Sequence, residues 1–167
     1  MNIRDSQAGA LHDVRRIFVR CPNWVGDVVM ATTAFQCIRD SFPEAVIIGG
    51  IRRYGRGVIE DGPWFDELID CDDRTMGSLV GAARRIRRFG PEAAILLPNS
   101  VRSAVLARLG GARRVYGYRR SGRSLLLSGG PRPQMQGGRA KPMPMGAYYL
   151  DLCRWLGLTV AADLRPR

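Results

Sequence analysis

Short apolar runs that alternate with stretches of helical periodicity predict an α/β fold, a parallel sheet with helices on both faces. Two further observations agree. The apolar runs read as strands buried on both sides, which only a covered parallel sheet requires. Polar or basic clusters also follow several of these runs directly, as they do where strand ends form the rim of such a sheet. At 167 residues the chain fits one domain, able to bury about 70% of the surface its unfolded form exposes.

The first strand is Arg16–Arg20, and the helix Val25–Ser41 follows, with Val28, Ala31, Phe35 and Ile38 on one face. Residues 45–51 form the second strand and 54–61 a second helix. A short strand at 67–71 leads into a helix at Met76–Phe89, and a strand at 93–97 leads into a helix at Val101–Leu109. Asn99-Ser100 at the start of that helix reads first as an N-cap. Two more strands are expected at 114–118 and 124–127. Residues 129–146, rich in Gly, Pro and Met, read as a substrate-side flap. A last amphipathic helix at 147–156 stops at Gly157. The expected organisation is a loose polar segment at 1–14, a domain at 15–157, and the start of a linker at 158–167.

Composition removes several function classes. No apolar run approaches the ~20 residues that span a bilayer, and the N-terminus, with Arg4, Asp5, His12 and Asp13, does not read as a signal peptide. Cys21, Cys37, Cys71 and Cys153 form no CxxC pair and read as reduced thiols packed as small hydrophobes. With His12 the one histidine, neither a zinc site nor a histidine-dependent hydrolase is expected. The net charge of +11, carried by arginines and Lys141, suits phosphorylated substrates, anionic headgroups or nucleic acid. A nucleic-acid binder should show a binding motif or aromatics spaced for base stacking, and the chain has neither.

The candidate site gathers at strand ends. Pro22-Asn23-Trp24-Val25-Gly26-Asp27 bends sharply between strand and helix, so Asp27 sits in the first helical turn and Trp24 reads as a pocket wall. Arg52, Arg53 and Arg56 follow the second strand, Asn99, Ser100 and Arg102 the strand at 93–97, and Arg119, Arg120 and Arg123 the strand at 114–118. On a shared rim these groups should converge into a positive crevice holding one acid, Asp27. Arg84, Arg85, Arg87 and Arg88 lie in mid-helix and read instead as a solvated or membrane-facing stripe.

The blocks Pro22-Asn23-Trp24-Val25-Gly26-Asp27, Leu97-Pro98-Asn99-Ser100 with Arg102-Ser103-Ala104, and Gly117-Tyr118-Arg119 with Gly122-Arg123 resemble the lipopolysaccharide heptosyltransferases, in particular their heptosyltransferase II branch. They occur in the family's order between Arg16 and Gly157. The resemblance implies a GT-B glycosyltransferase, of which this chain is the Rossmann-like N-terminal half that binds the acceptor. It implies Asp27 as general base in an inverting transfer of heptose from ADP-heptose to the Kdo/heptose-lipid A inner core, with no cofactor and no metal. It also implies acceptor contacts from Asn23, Trp24, Gly26 and the rim arginines. Gly146-Ala147, ahead of Tyr148-Tyr149, replaces a more polar pair in the family. On this reading the chain ends about where the family enters its nucleotide-sugar domain, so the isolated chain is inactive without a C-terminal half supplied separately. The expected location is cytoplasmic, with peripheral contact at the inner face of the inner membrane. The competing reading is a non-catalytic module that binds anionic glycolipid, or a truncated gene fragment.

Overall fold

The computed structural model describes Leu11 and residues 13–160, so His12, residues 1–10 and most of the expected linker lie outside the described residues. Strand β1 is Arg16–Arg20, helix α1 Val25–Ser41, strand β2 Val46–Ile51, strand β3 Glu67–Asp70 and helix α2 Met76–Phe89. They are followed by strand β4 Ala93–Leu96, helix α3 Val101–Leu109, strand β5 Arg114–Gly117, a small hairpin of β6 Met135–Gln136 and β7 Arg139–Ala140, and helix α4 Met145–Trp155. The five main strands form one sheet in the order β3-β2-β1-β4-β5, and every pair is parallel.

Alternation along the strands divides the core. Ile17 and Val19 of β1 point with Ile47 and Ile95 toward α1 and α4, against Val28, Phe35, Leu152 and Cys153. Phe18 points the other way with Ile48, Ala94 and Leu96, toward α2 and α3, against Leu79, Ile86 and Leu106. The expected α/β sheet with helices on both faces is therefore the observed architecture. Leu11 and Val14 are buried in the α1 side of this core, so packing begins before residue 15.

Two predicted elements differ. The expected helix at 54–61 is a 3-10 segment, Arg53–Val58, because only Gly55 of its residues is buried and there is no apolar face to dock. The expected strand at 124–127 is a 3-10 turn, Arg123–Leu126, with Leu125 pointing into solvent. The edge of β5 is taken instead by 128–131, through Ser128 N–H to Val115 O at 2.7 Å, Gly117 N–H to Gly129 O at 3.3 Å and Arg119 N–H to Pro131 O at 2.9 Å. A Cβ at Gly130 would stand 1.7 Å from Gly117 O, so this approach requires a glycine. Among the described residues no helix is long and apolar enough to cross a membrane.

Candidate functional site

In the order β3-β2-β1-β4-β5, chain direction across the sheet reverses between β1 and β4. Loops leaving neighbouring strands at such a point go to opposite faces and open a crevice at the carboxyl ends. The loop from β1 to α1 and the loop from β4 to α3 flank it, which brings the Asn23–Asp27 and Asn99–Ser100 segments to one rim.

Asp27 is the third residue of α1, half-buried, in a first turn whose N-cap, Trp24, supplies no side-chain bond. Among the described residues no hydrogen bond or ion pair engages its carboxylate, and its charge lies close enough to the buried Tyr149 to help burial raise that phenol's pKa. The segment leading to it is held from two sides. Arg20, fully buried at the end of β1, donates to Asn23 Oδ1 at 2.9 Å and to the carbonyls of Cys21 at 2.8 Å and Gly50 at 3.1 Å. Tyr54 donates its hydroxyl to the Asn23 carbonyl. Trp24 is 74% exposed beside the crevice.

The arginines divide into two groups. Arg52 pairs at 2.9 Å with Asp73, a buried carboxylate that also lies 3.6 Å from Arg20. Arg102 donates to the carbonyls of Asp73 at 2.5 Å and Arg74 at 2.6 Å. Arg123 is fully buried and donates to Pro98 O, Ser100 O, Tyr118 O, Ser103 Oγ and Asn99 Oδ1, with desolvation lowering its pKa to about 10. These three side chains brace loops. Arg56 does the same for β3, donating to Leu68 O at 3.2 Å, while Arg53 projects into solvent 3.6 Å from Asp70. Ser100 caps α3 by accepting from Ser103 N–H at 3.2 Å.

Arg119 and Arg120 are exposed, and Arg120 reaches a cavity of about 230 Å³ beneath the flap. Arg132 and Lys141 of the flap, Asn99, Asp151 and the Tyr118–Tyr148 pair also line it. The two rings stack at 3.8 Å, Tyr118 donates to Asp151 at 2.8 Å, and Tyr148 donates to Asn99 Oδ1 at 3.1 Å. The expected positive crevice with one acid is thus more structured than its sequence implied, since Asp73 and Asp151 join Asp27 at this end of the sheet. Arg20, Asp73, Arg132 and Lys141 stand at the site although none was among the residues expected there. Asp73 carried a usable signal, an acid just after the strand at 67–71, as did Arg20, a charge closing an apolar strand.

Solved glycosyltransferase structures share this fold. The E. coli ADP-heptose LPS heptosyltransferase II superposes with a TM-score of 0.67 and 25% identity, over 83% of this chain and 40% of its own. A glycosyl transferase family 9 protein from Veillonella parvula DSM 2008 gives 0.75 at 23% identity, over 87% of this chain and 42% of its own. The E. coli heptosyltransferase WaaC, solved with ADP, gives 0.72 at 15% identity, over 89% and 49%. The chain therefore spans about half, or less, of the length of the structures it matches. The resemblance carried by the sequence blocks has its counterpart in the fold, which is that of the N-terminal part of these glycosyltransferases. No family model matches the chain, and no curated protein matches it.

Proposed function

We propose that this chain is the acceptor-binding half of an inverting heptosyltransferase, acting on the lipopolysaccharide inner core with Asp27 as general base. The observation that carries the reading is an unengaged carboxylate in the first turn of α1, beside the crevice between β1 and β4, in a fold shared with heptosyltransferases. In the reaction the acceptor hydroxyl attacks the anomeric carbon of ADP-heptose. The new C–O bond forms as the bond to the ADP phosphate breaks, ADP leaves with that electron pair, and Asp27 takes the hydroxyl proton. One carboxylate suffices for a single inverting displacement, unlike the carboxylate pair of retaining glycosidases. A positioned base of this kind contributes about 10² to 10⁴ in rate.

The exposed cations that would meet acceptor phosphates or sugar carboxylates are Arg119 and Arg120, Arg132 and Lys141 of the flap, and Arg53, which already lies 3.6 Å from Asp70. Arg52, Arg102 and Arg123 support the site through the loops they hold. On this reading the donor is held by the C-terminal half that the resemblance implies, and the enzyme acts at the cytoplasmic face of the inner membrane, where the lipid-linked acceptor lies.

The deciding experiment measures heptose transfer from ADP-heptose to heptosyl-Kdo2-lipid A, using this chain with and without a separately expressed C-terminal half from a related enzyme. Acceptor binding is measured on this chain alone. Asp27→Asn should lower transfer about 10²-fold or more and leave acceptor binding intact. Transfer at the wild-type rate would remove Asp27 from the mechanism. Acceptor binding without turnover in any combination would favour the binding module.

A further inference from the structure

A helix without a capping side chain takes its entry from whatever holds the residues before it. Helix α1 is such a helix, since its N-cap Trp24 makes no side-chain hydrogen bond and a Cβ at Gly26 would meet nothing within 4 Å. The hold falls on Asn23. Its Oδ1 accepts from Arg20 Nη2 at 2.9 Å, and its carbonyl accepts from Tyr54. Asp27 follows one turn later.

A fully buried guanidinium needs a counter-charge. Arg20 finds one in Asp73, whose Oδ1 lies 3.6 Å from the same Nη2 that holds Asn23. The same Oδ1 accepts from Arg52 at 2.9 Å, and the Asp73 carbonyl accepts from Arg102 at 2.5 Å. Arg20 closes β1, Arg52 follows β2, Asp73 follows β3 and Arg102 follows β4. One buried residue thus joins four loops at the carboxyl end of the sheet. Its carboxylate also holds two like charges together, and without it Arg20 and Arg52 would repel each other and loosen the grip on Asn23.

We infer that Asp73 is a positioning residue for Asp27, fixing the first turn of α1 in the crevice through Arg20 and Asn23. At 3% exposure Asp73 is too buried to meet an acceptor, so its effect runs through the loop. The clamp belongs to this chain whatever the reaction, and its effect on rate rests on the reading of Asp27 as general base. A reacting group misplaced by about 1 Å can lose roughly 10²-fold in rate.

Asp73→Asn keeps the shape and removes the charge. Transfer is measured with the added C-terminal half, and Asp66→Asn, just before β3 at the other end of the sheet, is the control. Asp73→Asn should lower kcat about tenfold or more and leave the acceptor KM within about twofold of wild type, while Asp66→Asn changes neither. In the Asp27→Asn background the same substitution should cost nothing further, because the group it positions is gone. Should Asp73→Asn not fold, Asn23→Ala removes the acceptor for Arg20 at a part-exposed position and should reproduce the loss. Hydrogen exchange reads the clamp without substrate. The Val28 N–H, which closes the first turn on Trp24 O at 2.9 Å, should exchange at least about fivefold faster in Asp73→Asn, or in Asn23→Ala in its place, and at the wild-type rate in Asp66→Asn. Unchanged kcat, a rise in KM alone, an undiminished loss in the Asp27→Asn background, or Val28 exchange at the wild-type rate each overturns the inference. No transfer by the wild-type pair would overturn the reading of Asp27 instead, and Val28 exchange would still decide the clamp.

Discussion

Arg123 contacts five protein acceptors from a fully buried position, which a planar fork of five N–H donors can do and a lysine ammonium cannot. It ties the loop after β4 to the turn after β5. Arg123→Lys keeps the charge but leaves carbonyls such as Pro98 O and Ser100 O without a donor, and should cost about 2 kcal/mol in chemical denaturation. An unchanged midpoint would mean that water replaces the lost bonds. The same residue bounds what a sequence can show. A basic cluster after a strand announces a rim position, and Arg102, Arg120 and Arg123 all stand on that rim. It does not announce whether the acceptor is a ligand oxygen or a carbonyl of the next loop, because a guanidinium serves both equally well. The position of Asp27 was legible because a Pro- and Gly-containing turn between an apolar strand and a helical pattern puts it in the first turn of α1, whereas the role of Arg20 depends on Gly50 and Asn23 arriving from separate elements.

At the scale of elements, periodicity exposed every helix with an apolar face and failed where there was none to see. Residues 53–58 bury only Gly55 and offer no apolar face, and the apolar Leu125-Leu126-Leu127 run imitates a strand while 128–131 takes the β5 edge. Edge strand β3 is capped from outside its sequence, by Arg56 on Leu68 O and Arg85 on Asp70 O at 2.7 Å. Two arginines that read as ligand contact and solvated stripe thereby close a sheet edge against pairing. Asp66 joins three elements in a comparable way, accepting from Ile47 N–H of β2 and from Arg39 of α1, both at 2.7 Å. Burial pushes its carboxyl pKa up, but these two hydrogen bonds outweigh that and hold it below its ordinary value of 3.8. A depressed folded-state pKa contributes stability that is complete above 3.8 and lost as pH falls through the lower folded value. Asp66→Asn should therefore flatten the decline of stability below pH 3.8, and at neutral pH it should cost under about 1 kcal/mol, since the carboxylate is half exposed. An acid limb identical to wild type would locate that decline elsewhere.

Taken over the whole molecule, much of the arginine content is architectural. Arg20, Arg39, Arg56, Arg85, Arg102, Arg108 and Arg123 all donate to backbone carbonyls, so a net charge of +11 does not by itself call for a polyanionic partner. The cysteines test whether the two cores these clamps join behave as one. All four thiols are free and buried, Cys71 on the α2 side of the sheet and Cys21, Cys37 and Cys153 on the α1 side. Desolvation raises the Cys21 pKa and takes Cys71 to about 11, so neither supplies thiolate at neutral pH. Cys37 differs in direction, its pKa lowered through its interaction with the Cys153 thiol, but it is 1% exposed between α1 and α4, where its Sγ donates to the Thr159 carbonyl at 3.2 Å. Reaction with a thiol reagent then requires the sheet and its helices to come apart. The four labelling rates should converge on the rate set by global unfolding and rise together with denaturant. If Cys37 and Cys153 react well ahead of Cys21 and Cys71, α4 opens from α1 as a separate unit, and the flap that precedes it moves with it.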